Sequence, residues 1–298
     1  MAGLHIVSWV LFSGGKGRWQ DFLNVACRFA NGILFSPHYR DPQYALMQCS
    51  PTERFIIKTS MWFDVLASAT RADKPFFLPV FREIFDPATG YVGDFSSSVP
   101  SELSMLDIMG CENHIVWALA EISDLAYWKN SQIDRGTLST PALVKRGERI
   151  EEHILPPASF MFFDSDSELQ RERLLTSQVF RASARVYLHS VLSGDHPSCK
   201  EIVDGVTDTI EWLQRIPTAS TRAVVRSVVF CICICSCLTD DPWRRAFFMK
   251  CLDLRNAHLG NCAEVKRLIE SVWNSRETLS SKPVTWRDVM QKAQILLV

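Results

Sequence analysis

The tetrapeptide Ser50-Pro51-Thr52-Glu53 constrains this chain's fold more than any other feature of its sequence. A serine hydroxyl can accept from a free backbone N–H at a helix start, and proline has no N–H to leave unpaired there. A glutamate three residues after the serine can reach back and close a capping box. The pattern predicts a helix from this point to about Arg71, and similar punctuation recurs along the chain. Ser165 to Glu168 reads as a second box, ahead of a segment through Leu192 in which Leu175, Val179, Ala182 and Val186 follow helical spacing and Gly194 stands just past the end. Asp241 before Pro242, and Thr285 before Asp288, mark two further starts. Helices are also expected over 20–31, 111–129, 142–154, 197–214, 220–238 and 264–274.

No pair of alternating segments is joined by a two-residue Asn-Gly or Asp-Gly turn, so the sequence offers no hairpin. The expected fold class is all-α: a single large irregular bundle of stacked antiparallel helices over residues 1–298. Polar segments containing Gly, Ser or Pro separate the helices at 86–104, 130–139, 156–166 and 275–284, and none has the look of an interdomain linker. The first of these, with Ser96, Ser97 and Ser98, is expected to be a disordered loop. No repeat of fixed period is present, which argues against a regular solenoid.

Charge narrows the function. With 32 basic and 33 acidic side chains the formal net charge is -1, which leaves no cationic surplus for phosphates or an anionic membrane. Direct nucleic-acid binding by this chain is therefore not expected, nor is membrane association. The opening MAGLHIVSWVLF has an apolar run but neither a basic start nor a small-residue cleavage site, and so does not read as a signal peptide. The apolar stretch 227–238 is far shorter than the roughly 20 residues needed to cross a bilayer. Met1 falls directly into an amphipathic run with no capping residue, which suggests a natural start further upstream.

Several constellations invite a chemical reading. Cys231, Cys233, Cys235 and Cys237 could supply four thiolates to zinc, but residues two apart on a helix point about 200° apart and cannot converge on one ion. Their neighbours Val228, Val229, Phe230, Ile232 and Ile234 suit a buried helix in which cysteine acts as a small hydrophobe. Asp240-Asp241, with Asp204, Thr207 and Glu211, partly matches the magnesium-binding acids of a helical isoprenoid synthase. Arg244 or Arg245 replaces the third acid of the first set, Val203 the leading acid of the second, and their order along the chain is reversed. A helix start at Asp241 and a solvated face with Asp208 account for them more simply.

Gly14-Gly15-Lys16-Gly17 is similar to a phosphate loop but lacks its spacing and a preceding strand. Asp64 and Glu121 are acids within apolar helices. If buried, each calls for a basic partner such as Lys58, Arg71 or Arg181, or for a place lining an effector pocket; structural pairing or simple exposure is the plainer reading. The sequence assigns no catalytic, cofactor-binding or metal-binding residue, and no enzymatic activity is expected.

Five segments in order resemble the fungal-specific transcription factor domain, the regulatory region that follows the binuclear zinc cluster of fungal regulators. They are FIIKTSMWFDVLASATR at 55–71, LDIMGCENHIVWALAEISDLAYWK at 106–129, FRASARVYLHSVLSG at 180–194, VVFCICICSCLTDD at 228–241 and WRDVM at 286–290. The resemblance implies a helical, nuclear regulatory domain with no catalytic residues to carry over, and it matches 228–241 to the family's central apolar helix. The chain has no Cys-x2-Cys-x6-Cys half-cluster. Zinc is therefore expected only in a cluster outside these residues, and the expected partners are that DNA-binding module or transcriptional co-regulators, with a homodimer possible. Truncation upstream and a stand-alone paralogue both fit. The alternatives are a module binding a small-molecule effector and, more remotely, a magnesium-dependent enzyme.

Overall fold

The computed structural model describes residues 19–85, 100–155, 167–217, 224, 227–253, 262–278, 285–293 and 296–297. These residues form thirteen α-helices and, among the described residues, no strand. In chain order they are α1 (Trp19–Leu34), α2 (Pro42–Gln48), α3 (Pro51–Arg71), α4 (Leu78–Phe85), α5 (Leu106–Met109), α6 (Asn113–Asp134) and α7 (Thr140–His153). They continue as α8 (Glu168–Ser193), α9 (Lys200–Gln214), α10 (Val229–Cys237), α11 (Pro242–Asp253), α12 (Cys262–Glu277) and α13 (Trp286–Ala293).

Helix α3 starts as expected. Ser50 Oγ accepts from the Glu53 N–H at 3.2 Å, Glu53 Oε2 accepts from the Ser50 N–H at 2.9 Å, and Pro51 occupies the first helical turn. Every residue from Ile56 to Thr70 is buried, so α3 is enclosed on all sides. A helix with no solvent face must satisfy its polar side chains internally. Ser60 and Thr70 do so by donating to the carbonyls of Ile56 and Leu66 one turn back.

Around α3 pack α1, α6 and α13, and α8 joins α6 to α9 and α10. An aromatic chain runs through the centre: Trp62 of α3 meets Phe180 of α8 at 5.1 Å, Phe180 meets Phe230 of α10 at 6.4 Å, and Tyr187 of α8 meets Trp286 of α13 at 6.2 Å. Such ring pairs add specific geometry to the burial that drives the packing. Helices α8 and α9 approach closely because Gly205 has no side chain; a Cβ there would stand 2.7 Å from Val186 Cγ2.

The four cysteines of α10 are fully buried and its nine residues all lie inside the core, as expected of a central apolar helix. Helix α12 closes the end of α10: Trp273 Nε1 donates to the Ser236 carbonyl at 2.8 Å, and Arg276 Nη2 to that of Cys237 at 2.6 Å. These carbonyls have no partner within their own helix.

The remaining starts show where the sequence pattern held and where it slipped. Thr285 and Asp288 form a reciprocal box, and Asp241 Oδ1 accepts from the Arg244 N–H at 2.8 Å. The second expected box does not cap α8. Its cap is Ser167, whose Oγ takes the Gln170 N–H at 3.5 Å, and Ser165 lies outside the described residues. Helix α9 begins at Lys200 rather than 197, after a turn through His196 to Cys199. Helix α10 begins at Val229, and 220–223 and 225–226 of the expected 220–238 helix lie outside the described residues.

Of the loop expected over 86–104, residues 86–99 lie outside the described residues and 100–104 within them. Leu103 is buried there, and the carbonyls of Ser101 and Ser104 take the Lys58 ammonium at 3.2 and 2.6 Å. The opening apolar run and Gly14 to Gly17 also lie outside the described residues.

Candidate functional site

A cleft of about 490 Å³ opens between α4, α6 and α7. Helix α4 buries Val80, Phe81, Ile84 and Phe85, which turns Arg82 outward toward α6. On α6, Trp117, Glu121 and Asp124 are spaced to share one face. Arg82 forks onto that face: Nε donates to Glu121 Oε1 at 2.7 Å, Nη2 to Glu121 Oε2 at 2.7 Å, and Nη2 also reaches Asp124 Oδ2 at 3.2 Å. Trp117 Nε1 adds a third donor to Glu121 at 3.0 Å. The paired carboxylates hold the Arg82 guanidinium pKa above its ordinary value through the Glu121 hydrogen bonds. The bidentate geometry fixes α4 to α6 despite the partial exposure of the arginine.

The opposite wall is α7. Leu143, Gly147 and Ile150 face the protein, so Arg146 and Arg149 lie on the cleft side. The Arg146 guanidinium stacks 4.1 Å over the Trp128 ring, which fixes its plane. Among the described residues neither Arg146 nor Arg149 makes an ion pair. The floor is aliphatic, formed by Leu125, Ile150 and Ile154, all buried. The arrangement offers oriented cationic donors above an apolar surface. Among the described residues no group of His, Cys, Asp or Glu could hold a metal ion.

The acids singled out in the sequence fall at separate places. Glu121 belongs to this cleft, though its partner is Arg82 rather than Lys58, Arg71 or Arg181. Asp64 lies inside α3 and its Oδ2 accepts from the Phe77 N–H at 3.0 Å; burial pushes its pKa up to about 6, and Arg71 only partly opposes this. The three expected cations are engaged elsewhere: Lys58 with the Ser101 and Ser104 carbonyls, Arg71 with Asp73, and Arg181 with Gln178 Oε1 at 2.8 Å.

Asp240 is shared by Arg245 and Arg276, and Asp241 caps α11. Asp204 pairs with Lys200 one turn back, and Asp208 with Arg185. These acids have local cationic or capping partners, which is the arrangement of helix starts and solvated faces rather than of a magnesium site. Burial raises the thiol pKa of Cys231 and Cys237 well above its ordinary value and that of Cys235 to about 12, so these thiols stay protonated in the core.

Sequence reasoning did not single out Arg82, Asp124, Arg146 or Arg149. The Trp117, Glu121, Asp124 spacing on one helical face was the available signal for the α6 wall; nothing in the sequence indicates which arginines face it.

The family model of the fungal specific transcription factor domain matches residues 1–298. A trichothecene biosynthesis transcription regulator of Fusarium sporotrichioides is 26% identical over 197 residues, covering 64% of this chain and 44% of that protein. The regulator of the same description from Trichoderma arundinaceum is 32% identical over 192 residues, covering 63% of this chain and 43% of its own length. The transcription factor phomR of Diaporthe leptostromiformis is 22% identical, with 96% of this chain and 51% of that protein aligned. The chain thus spans about half the length of these curated relatives. No solved structure matches it. With the family matched from end to end and the relatives described as transcription regulators rather than enzymes, the chain belongs to the fungal specific transcription factor domain family.

Proposed function

We propose that residues 1–298 form one regulatory body of a nuclear transcription regulator that controls a biosynthetic gene cluster, with DNA read by a module outside these residues. The observation that carries this reading is the family match over the whole chain, together with relatives described as regulators of trichothecene biosynthesis and of the ustiloxin B cluster. A single hydrophobic core running from Trp19 to Leu297 supports one body rather than two.

The electrostatics support reading DNA elsewhere. The net charge is -1, and many cations are engaged internally: Arg54 holds the carbonyls of Leu46, Met47 and Cys49, Arg82 holds Glu121, and Arg245 holds Asp240 and Glu277. Cations engaged in this way are less available to displace counterions from a phosphate backbone. Any zinc of the regulator belongs with that separate module, and co-regulators are its other expected partners.

The test is disruption of the gene followed by transcript profiling, alongside a reporter driven by this chain fused to a heterologous DNA-binding domain. Coordinated change in a contiguous set of biosynthetic genes, with reporter output that depends on the fused chain, is the expected result. Unchanged cluster transcripts, or sequence-specific promoter binding by the unfused chain at physiological salt, would overturn the proposal.

A further inference from the structure

We infer that the cleft between α4, α6 and α7 is a binding site for a small amphipathic carboxylate. Its acid group is taken by Arg146 and Arg149, and its apolar body lies on Leu125, Ile150 and Ile154. The inference begins from the charge balance. Among the described residues that line it, three guanidinium groups face two carboxylates, and Arg82 engages both carboxylates by itself. The two arginines of α7 are left without an ion pair among the described residues. Among the described residues that line the cleft one positive charge is therefore unmatched, which suits a ligand carrying a single negative charge.

Geometry favours the same class. The stacking of Arg146 on Trp128 at 4.1 Å leaves the N–H edge of the guanidinium available for a planar, two-oxygen acceptor, and arginine is suited to carboxylate by its fork of donors. Glu121 and Asp124 across the cleft disfavour a multiply charged phosphate. The buried aliphatic floor rewards an apolar body, as small-molecule sites commonly combine an apolar lining with few oriented polar groups. The volume of about 490 Å³ accommodates a ligand of metabolite size.

Binding here would also have a structural route to the rest of the domain. Helix α6 forms one wall and packs directly on α3 and α8, and α7 packs on α8 through Gly147, where a Cβ would stand 2.7 Å from Leu192. A ligand that prefers one spacing of α6 and α7 can bias the domain only by its difference in affinity for the two spacings.

The experiment uses the purified 298-residue chain and three probes: octanoate, its neutral analogue octanamide, and inorganic phosphate. Binding is followed by calorimetry and by the thermal midpoint. Octanoate is expected to bind and raise the midpoint, octanamide to bind at least about tenfold more weakly, and phosphate to give no shift. Arg146→Ala with Arg149→Ala should weaken octanoate by about tenfold or more, whereas the surface variant Lys200→Ala should not change it. Arg149→Lys, which keeps the charge and exposure, should retain part of the affinity and guards against a folding defect in the double variant. Equal binding of octanoate and octanamide, phosphate acting as strongly as octanoate, or octanoate affinity unaffected by the two arginines would overturn the inference, as would the absence of octanoate binding. These outcomes concern the isolated chain, so they are separable from the transcript and reporter results that test the regulatory role.

Discussion

Asp64 should make the stability of this domain depend on pH in a direction opposite to that of an ordinary paired carboxylate. It sits inside α3, 6% exposed, and its pKa is raised from 3.8 to about 6 by burial, against the opposing hydrogen bonds from the Phe77 and Phe76 backbone. An acid whose folded pKa stands above its unfolded value is charged at a cost in the native state. That cost is fully present above the folded pKa and fades as pH falls toward the unfolded one. The difference between 3.8 and about 6 corresponds to about 3 kcal/mol across the whole window, of which about 1 kcal/mol is recovered between pH 7 and pH 5.

The reference is Asp64→Asn, which keeps an oxygen for the Phe77 N–H and removes the charge. Denaturant unfolding of both proteins at pH 7, 6 and 5 gives the two slopes. Comparison cancels the other titrating groups, including Glu151 and Asp240, whose pKa values are lowered. The parent chain should gain about 1 kcal/mol on the Asn variant as pH falls from 7 to 5. Parallel slopes would show that Asp64 does not titrate in this window. A parent that loses ground to the variant on acidification would show that Arg71 stabilises the anion more than burial destabilises it.

Three further outcomes follow from local geometry. Gly205→Ala should lower stability by about 1–3 kcal/mol in a thermal or denaturant melt, because its Cβ would stand 2.7 Å from Val186 Cγ2 between two packed helices. Ala72→Gly should raise stability by up to about 1 kcal/mol, because residue 72 ends α3 in the left-handed region at φ 55°, where a Cβ is strained. With an aromatic disulfide reagent, the partly exposed Cys199 should react in the native protein, whereas Cys231, Cys233, Cys235 and Cys237 should react only after unfolding. Rapid native reaction of the α10 thiols would refute their placement in the core.

How much of the fold was legible depended on whether local chemistry or tertiary packing set each element. The boundaries of α3 were written in Ser50, Pro51 and Glu53, whose hydrogen bonds are made within four residues of one another. Helix α8 shows the limit of that logic: Ser165 and Ser167 both precede its acidic first turn, and the backbone chose the second. Helices α2, α4 and α5 are seven, eight and four residues long, too short for an apolar period to stand out. Helix α2 nonetheless carries the same Asp-Pro start as α11, with Asp41 Oδ1 accepting from the Tyr44 N–H at 2.7 Å. Its signal was present and went unused because no long periodic segment followed it.

The candidate site was less legible for a physical reason. Sequence reasoning identified Glu121 as an acid in an apolar helix and required a partner for it, which is what a buried carboxylate demands. The partner is 39 residues away at Arg82, brought there because α4 turns its apolar face into the core. Spacing along the chain cannot select that arginine from the others, since the choice depends on where α4 lands on α6. The same holds for Arg146 and Arg149: on α7 alone they are ordinary exposed cations, and they become part of a cleft only because Trp128 and Leu125 of α6 face them. Asp64 gives the converse case, since its surroundings are apolar in sequence as well as in space. The demand for a partner was sound, but backbone N–H groups at the α3–α4 turn met it, leaving the charge unpaired and the pKa high. A carboxylate held by amides and one held by a guanidinium look alike in sequence, and for Asp64 the pH titration reads out that it is the amide-held kind, with a pKa raised to about 6.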